Sequence, residues 1–203
     1  MRKLMIYFLL LILFCSAEAA FSAEIGGVTL PDTMKAGDAD LVLNGCGLRT
    51  KFGFKVYAVG VYVKEKSTDS QKMIDADEPM ILHMHYRRSA PQKKVSSVFY
   101  DSFASVLNIP EQDNYDETTD YGPQKKNIVD FINAVTKVKV MKNDKYTYIY
   151  MPGKGTEIYM VNKDGKSLLL TIPGIGFKKA LYAIWLADGA PVGKKLQQKL
   201  SGK

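Results

Sequence analysis

The sequence holds two cysteines, two histidines and one tryptophan. Cys15 lies in an N-terminal apolar run, so Cys46 stands alone in the body of the chain. A single cysteine closes no internal disulfide, and the fold must rest on its core. Cys46, between Gly45 and Gly47 in a strand-like run, reads as a small packed side chain and not as a nucleophile. His83 and His85 alternate on a strand and share a face, but no third ligand joins them. They read as structural residues, and neither a metal nor a cofactor is expected. No aromatic-plus-basic RNA motif and no helix-turn-helix pattern occurs, so the net charge of +7 carries no nucleic-acid reading. The densest basic run, Gly193 to Lys203, reads as the solvated side of a last helix.

Long apolar runs are also scarce. The most extended, Leu4 to Phe14, is too short to cross a bilayer comfortably. It follows Arg2 and Lys3 and precedes small residues, the layout of a secretory signal peptide. Ala17 and Ala19 offer an A-x-A cleavage site, with a mature start expected near Ala20. The expected organisation is a signal peptide over 1–19 and one domain over 20–203, exported to the periplasm, with no membrane span after cleavage. Cys15 raises lipid anchoring as an alternative, against which bulky Phe14 stands where a small residue is wanted.

No repeat, linker or low-complexity segment divides the rest. The alternation predicts a strand near Ile25–Leu30, a turn at Pro31–Asp32, and strands from Leu41 to Lys51 and Phe54 to Val63. A short helix is expected over Thr68–Ala76, and a strand from Met80 to Arg87. The period then changes. Ser89 as cap and Pro91 in the first turn open a helix whose stripe is Val95, Val98, Phe99, Phe103, Val106 and Leu107. Asn108 to Tyr121 reads as an acidic loop. A second helix starts at Gly122–Pro123, with Ile128, Phe131, Ile132 and Val135 as its stripe. A three-stranded meander follows, then a helix from Gly174 and a last short helix. Strands, helices, strands, helices make an α+β fold, an antiparallel sheet with helices packed on one face. Tyr146, Tyr148 and Tyr150 share one face of the meander and read as aromatic residues suited to strands, with an exposed aromatic stripe marking a partner surface as the alternative.

Three stretches, "LNGCGLRTKFGFKVYAVGVYV", "YMPGKGTEIYMVNKDG" and "KKALYAIWLADGAPVGKKLQQKLSG", in this order and spacing, resemble the chalcone isomerase-like family in its exported bacterial branch. The resemblance covers about Ile25 to Gly202. It implies an open-faced β-sandwich, a large antiparallel sheet under a helical layer, with a ligand cleft between them. It also implies one of two uses. The plant enzymes are intramolecular lyases that close a chalcone to a flavanone, where a cation stabilises the developing oxyanion. Non-enzymatic relatives bind fatty acids, and the cleft arginine meets the carboxylate. Guanidinium serves both, because it stays charged when partly buried and makes paired hydrogen bonds to an oxyanion.

Arg49 matches the family arginine. The enzymes carry a threonine where this chain has Tyr57, as the fatty-acid binders do. Another enzyme hydroxyl falls in the segment matching "LYAIWL", where this chain has Ala183. The enzymes' tyrosine and asparagine find no secure match, with Tyr100, Asn108 and Tyr115 nearby. The resemblance therefore implies a non-catalytic protein binding a fatty acid or similar amphipathic acid, with Arg49 and Tyr57 on the carboxylate. An intramolecular lyase using the same two residues is the alternative, and a structural domain with a closed cleft is the third reading. Phe54, Val59, Val98 and Phe99, with Phe103, Leu181 and Ile184, are expected to line an acyl tunnel. Trp185 is expected to serve packing. Without the resemblance, Arg49 reads as a strand-end charge paired with Asp38 or Asp40.

Overall fold

The computed structural model describes residues 23–203. The expected signal peptide and Cys15 lie outside them. Among the described residues nine strands and five α-helices follow one another. A small hairpin joins β1 (Ala23–Glu24) to β2 (Thr29–Leu30). The main sheet runs β3 (Thr33–Ala36), β4 (Ala39–Lys51), β5 (Phe54–Val63), β6 (Met80–Tyr86), β7 (Lys145–Met151), β8 (Gly155–Asn162) and β9 (Gly165–Ile172), in chain order and antiparallel throughout. Helices α1 (Ser70–Asp75), α2 (Gln92–Val106), α3 (Lys125–Val135), α4 (Ile175–Leu186) and α5 (Lys194–Leu200) complete the fold. Among the described residues no helix is long and apolar enough to cross a membrane.

The expected α+β architecture is present. β5 falls on its expected bounds, Phe54 to Val63, because a two-residue turn precedes it. Phe52 (φ 50) and Gly53 (φ 76) both take positive φ, the geometry whose twist matches the flanking strands. Two readings need correction. Of the stretch expected as one strand over Ile25–Leu30, only Thr29–Leu30 is strand, as β2, while residues 25–28 form the turn from β1, and β3 leaves no sign in the sequence. These pieces are two to four residues long, too short for alternation to register. Ser89 does not cap α2. Pro91 is its N-cap residue, and the Ser89 hydroxyl accepts instead from the Lys142 amide at 3.0 Å. Pro91 holds the extended conformation itself, so the cap falls two residues later.

Strand alternation sorts the side chains onto two faces. Val59, Val61, Met84, Tyr86, Tyr146, Tyr148 and Tyr150 point under the helices and are buried with Phe99, Phe103, Phe131 and Trp185. The meander tyrosines are thus core residues. Tyr182 shows how the core satisfies its polar atoms: its hydroxyl meets the carbonyls of Met80 and Tyr148, each at 2.8 Å. Lys178 is buried too. Its ammonium donates to the carbonyls of Met73, Ile74 and Ala76 at 2.7, 2.7 and 2.9 Å, closing the C-terminal end of α1.

The opposite face carries Tyr62, Ile81 and Ile149 in one cluster, and Cys46 and Ala58 beneath the β1–β2 hairpin in another. Cys46 is half-buried, and burial pushes its thiol up, so it stays protonated. His83 Nδ1 lies 2.8 Å from the Thr147 hydroxyl. Burial, with help from Lys145 and His85, pulls His83 down to about 4. An unfolded histidine titrates near 6.5. Between those values the unfolded chain binds more protons, so stability falls as pH drops from about 6.5 to 4, by on the order of 3 kcal/mol at most. Denaturation across that window is expected to show the slope in the wild type and a flatter one in His83→Gln. An equal slope in both would remove His83 as its source.

Candidate functional site

The glycine-rich "LNGCG" segment of β4 explains where the site sits. Gly45 and Gly47 face the helical layer. A Cβ on Gly45 would lie 2.1 Å from the Lys199 carbonyl oxygen, and one on Gly47 would lie 2.4 Å from Leu196 Cδ1. Bare backbone lets α5 rest directly on the strand. Asn44 ties the contact: its amide donates to the carbonyls of Ser67 and Leu200, and its oxygen accepts from the Ser67 amide at 2.7 Å. With α5 fixed, the loop leading into it hangs over the end of β4. There the half-buried Arg49 emerges on the same face as Gly45 and Gly47, just before an irregularity between Arg49 and Thr50. Such irregularities re-aim a side chain.

Arg49 donates from Nη1 to the Val192 carbonyl at 2.5 Å, with a longer contact of 3.4 Å from Nη2 to that of Pro191. Among the described residues no carboxylate lies within ion-pair distance of it, and Asp40 pairs with Lys35 instead. A guanidinium has five N–H donors. The two carbonyls take two, and the other three remain for something else. The expected alternative pairing with Asp38 or Asp40 is therefore corrected: a 13-residue strand carries Arg49 well away from its own start.

Beside Arg49 lies a cavity of about 400 Å³, inside the range common for small-molecule sites. Tyr57 and Tyr86 stand next to Arg49 in one cross-strand row, since Arg49 pairs with Tyr57 and Tyr57 with Tyr86. Their rings pack at 5.7 Å. Met84, Phe99, Ile184 and Trp185 give the cavity buried apolar walls, while exposed Lys51, Lys94, Val98 and Asp101 form its rim. Trp185 Nε1 donates to the Tyr57 hydroxyl at 3.1 Å. That bond occupies a lone pair and leaves the phenol proton free to point elsewhere. Burial pushes Tyr57 up to about 12, against the opposing pulls of Trp185 and Arg49. Tyr57 is therefore a neutral donor at ordinary pH and not a phenolate.

Of the residues expected at the site, Arg49, Tyr57, Val98, Phe99 and Ile184 line this cavity. The other four do not. Phe54 is at the hairpin tip, 56% exposed, with the Arg88 guanidinium 4.2 Å above its ring. Val59, Phe103 and Leu181 are buried in the core. Tyr100, stacked on Tyr121, and Asn108 and Tyr115 lie outside the cavity wall too. Trp185, expected only to pack, reaches both the cavity and Tyr57. Tyr86 and the Pro191–Val192 carbonyls were not foreseen. Tyr86 becomes a neighbour of Arg49 only through strand register, and backbone carbonyls leave no mark in a sequence.

A seven-stranded antiparallel sheet, a helical layer on one face and an arginine-bearing cavity between them define an open-faced sandwich with an internal ligand-sized space. The profile of the chalcone isomerase-like family matches residues 22–202, and the chain belongs to that family. The fold is similar to that of a fatty-acid binding protein of Arabidopsis thaliana known from its crystal structure. The TM-score is 0.67 at 15% identity, over 90% of this chain and 96% of that one. At that identity the likeness speaks for the fold. Among curated proteins none matches the sequence.

Proposed function

We propose that the protein is an exported, non-catalytic binder of a fatty acid or similar amphipathic carboxylate. Arg49 and Tyr57 hold the head group, and the apolar walls under α2 and α4 take the chain. The observation that carries this reading is a half-buried guanidinium without a carboxylate partner among the described residues, beside a mostly apolar cavity of about 400 Å³. A carboxylate presents two oxygens to a guanidinium and accepts paired bonds. Each methylene removed from water adds about 0.8 kcal/mol, so the chain supplies most of the affinity and Arg49 sets the orientation. The Arabidopsis neighbour's fatty-acid binding points the same way.

The lyase reading lacks polar partners. Ala183 offers no hydroxyl, neutral Tyr57 is no base, and Tyr100, Asn108 and Tyr115 stand away from the cavity. The space itself weighs against a closed cleft. Export rests on Arg2, Lys3 and the apolar run to Phe14, and N-terminal sequencing of the mature protein is expected to begin near Ala20. The ligand reading is tested by denaturing protein purified from cells and analysing what is released by mass spectrometry. An acyl-bearing acid close to one per chain is expected. Protein that releases no acid, and that takes up no dodecanoic acid after delipidation, would refute the reading.

A further inference from the structure

The row that holds Arg49 and Tyr57 has a third member. Tyr86 is 94% buried by its 6% exposure, and it lines the cavity. Its hydroxyl has no hydrogen-bond partner among the described residues, yet it is not among the polar atoms sealed from solvent. It therefore opens onto the cavity. Burial, then the neighbouring Tyr57 and Tyr146 phenols, raise it far above the ordinary tyrosine range, so it stays protonated. The ring is held from both sides, 5.7 Å from Tyr57 and 5.7 Å from Tyr146. Its position is fixed, and its hydroxyl is unspent.

Adjacent strands lie about 4.8 Å apart, which puts the Arg49 and Tyr86 backbones roughly 10 Å from each other with Tyr57 between. With Arg49 and Tyr57 assigned to the carboxylate, Tyr86, two strands over from Arg49, is left to meet the ligand beyond its head group. Ser102, also in the wall, already donates to the Val98 carbonyl at 2.6 Å. Tyr86 is thus a separate polar point along the path of the chain. A plain methylene laid against it excludes solvent and leaves a buried phenol unsatisfied, whereas an oxygen there accepts its proton.

We propose that the ligand is an oxygenated amphipathic acid, carrying a hydroxyl or keto oxygen along its chain, and that Tyr86 selects for that oxygen. This rests on the carboxylate reading of Arg49 and narrows it. The test compares dodecanoic acid with its mid-chain hydroxy and keto derivatives by calorimetry, on wild type and Tyr86→Phe. Phenylalanine keeps the ring packing, and equal melting temperatures would check that the fold is intact. The wild type is expected to bind at least one oxygenated acid about tenfold more tightly than the plain acid, with the preference lost in Tyr86→Phe, where the plain acid no longer lies against an unsatisfied phenol and binds more tightly than in the wild type. Equal affinity for all the acids, or a preference that survives in Tyr86→Phe, would overturn the assignment while leaving acid binding intact. Binding of none of the acids would instead overturn the carboxylate reading beneath it.

Discussion

Arg49→Ala weakens dodecanoic acid binding by about a hundredfold or more, as measured by calorimetry on delipidated protein. Hydrogen bonds to charged groups contribute about 1.5–3 kcal/mol each, and the guanidinium offers the carboxylate two. The variant also gives up the bonds to the Val192 and Pro191 carbonyls, so a modest fall in melting temperature accompanies the loss. Arg49→Lys separates the two effects. Lysine keeps the charge but presents a compact ammonium and not a planar fork. It is expected to recover part of the affinity and not all of it. Unchanged affinity in Arg49→Ala would mean that the acid, if bound, lies elsewhere.

Gly45→Ala is expected to destabilise the fold by about 3 kcal/mol, the upper part of what overpacking costs. The added methyl would stand 2.1 Å from the Lys199 carbonyl oxygen and 2.7 Å from that of Leu200. Both are backbone atoms of or next to α5, so no side chain can swing aside and the helix itself must move. For a chain of this size that corresponds to a melting temperature lower by roughly 6–12 °C. The displaced helix carries its leading loop with it, and Arg49 loses the carbonyls that aim it. Ligand affinity is expected to fall although residue 45 does not line the cavity. Gly53→Ala is the control. Its surroundings are open, and only its positive φ resists a side chain, so a smaller loss of about 1 kcal/mol is expected. Equal losses at the two sites would mean that the contact of β4 with α5 is not what Gly45 provides.

What could be read from the sequence depends on how local the signal is. Phe54 to Val63 was legible because alternation and a two-residue turn reside in adjacent residues. The helix stripe of Ile128, Phe131, Ile132 and Val135 is buried as its spacing requires. Val98 belongs to the α2 stripe by spacing, yet it is 42% exposed, because it falls on the cavity rim where no neighbour covers it. The same limit governs the site. Arg49 and Tyr57 were visible through the family pattern of one short segment. Val59, Phe103 and Leu181 are hydrophobic and face the helical layer or the sheet, and nothing in a single sequence tells a cavity wall from the solid core next to it. Tyr86 needed the pairing of β5 with β6, and Trp185 needed the approach of α4 to β5. Both are long-range facts that periodicity does not encode.

The most direct test follows the ligand's own carboxyl group. Dodecanoic acid labelled with carbon-13 at the carboxyl carbon reports its ionisation by NMR while bound. A nearby uncompensated guanidinium favours the charged form. The bound signal in the wild type is expected to remain that of a carboxylate well below the pH at which the free acid protonates, and to move upward in pH in Arg49→Ala. A bound carboxyl that protonates at or above the free acid's pH in the wild type, unaffected by the substitution, would contradict the assignment of Arg49 as its counter-ion.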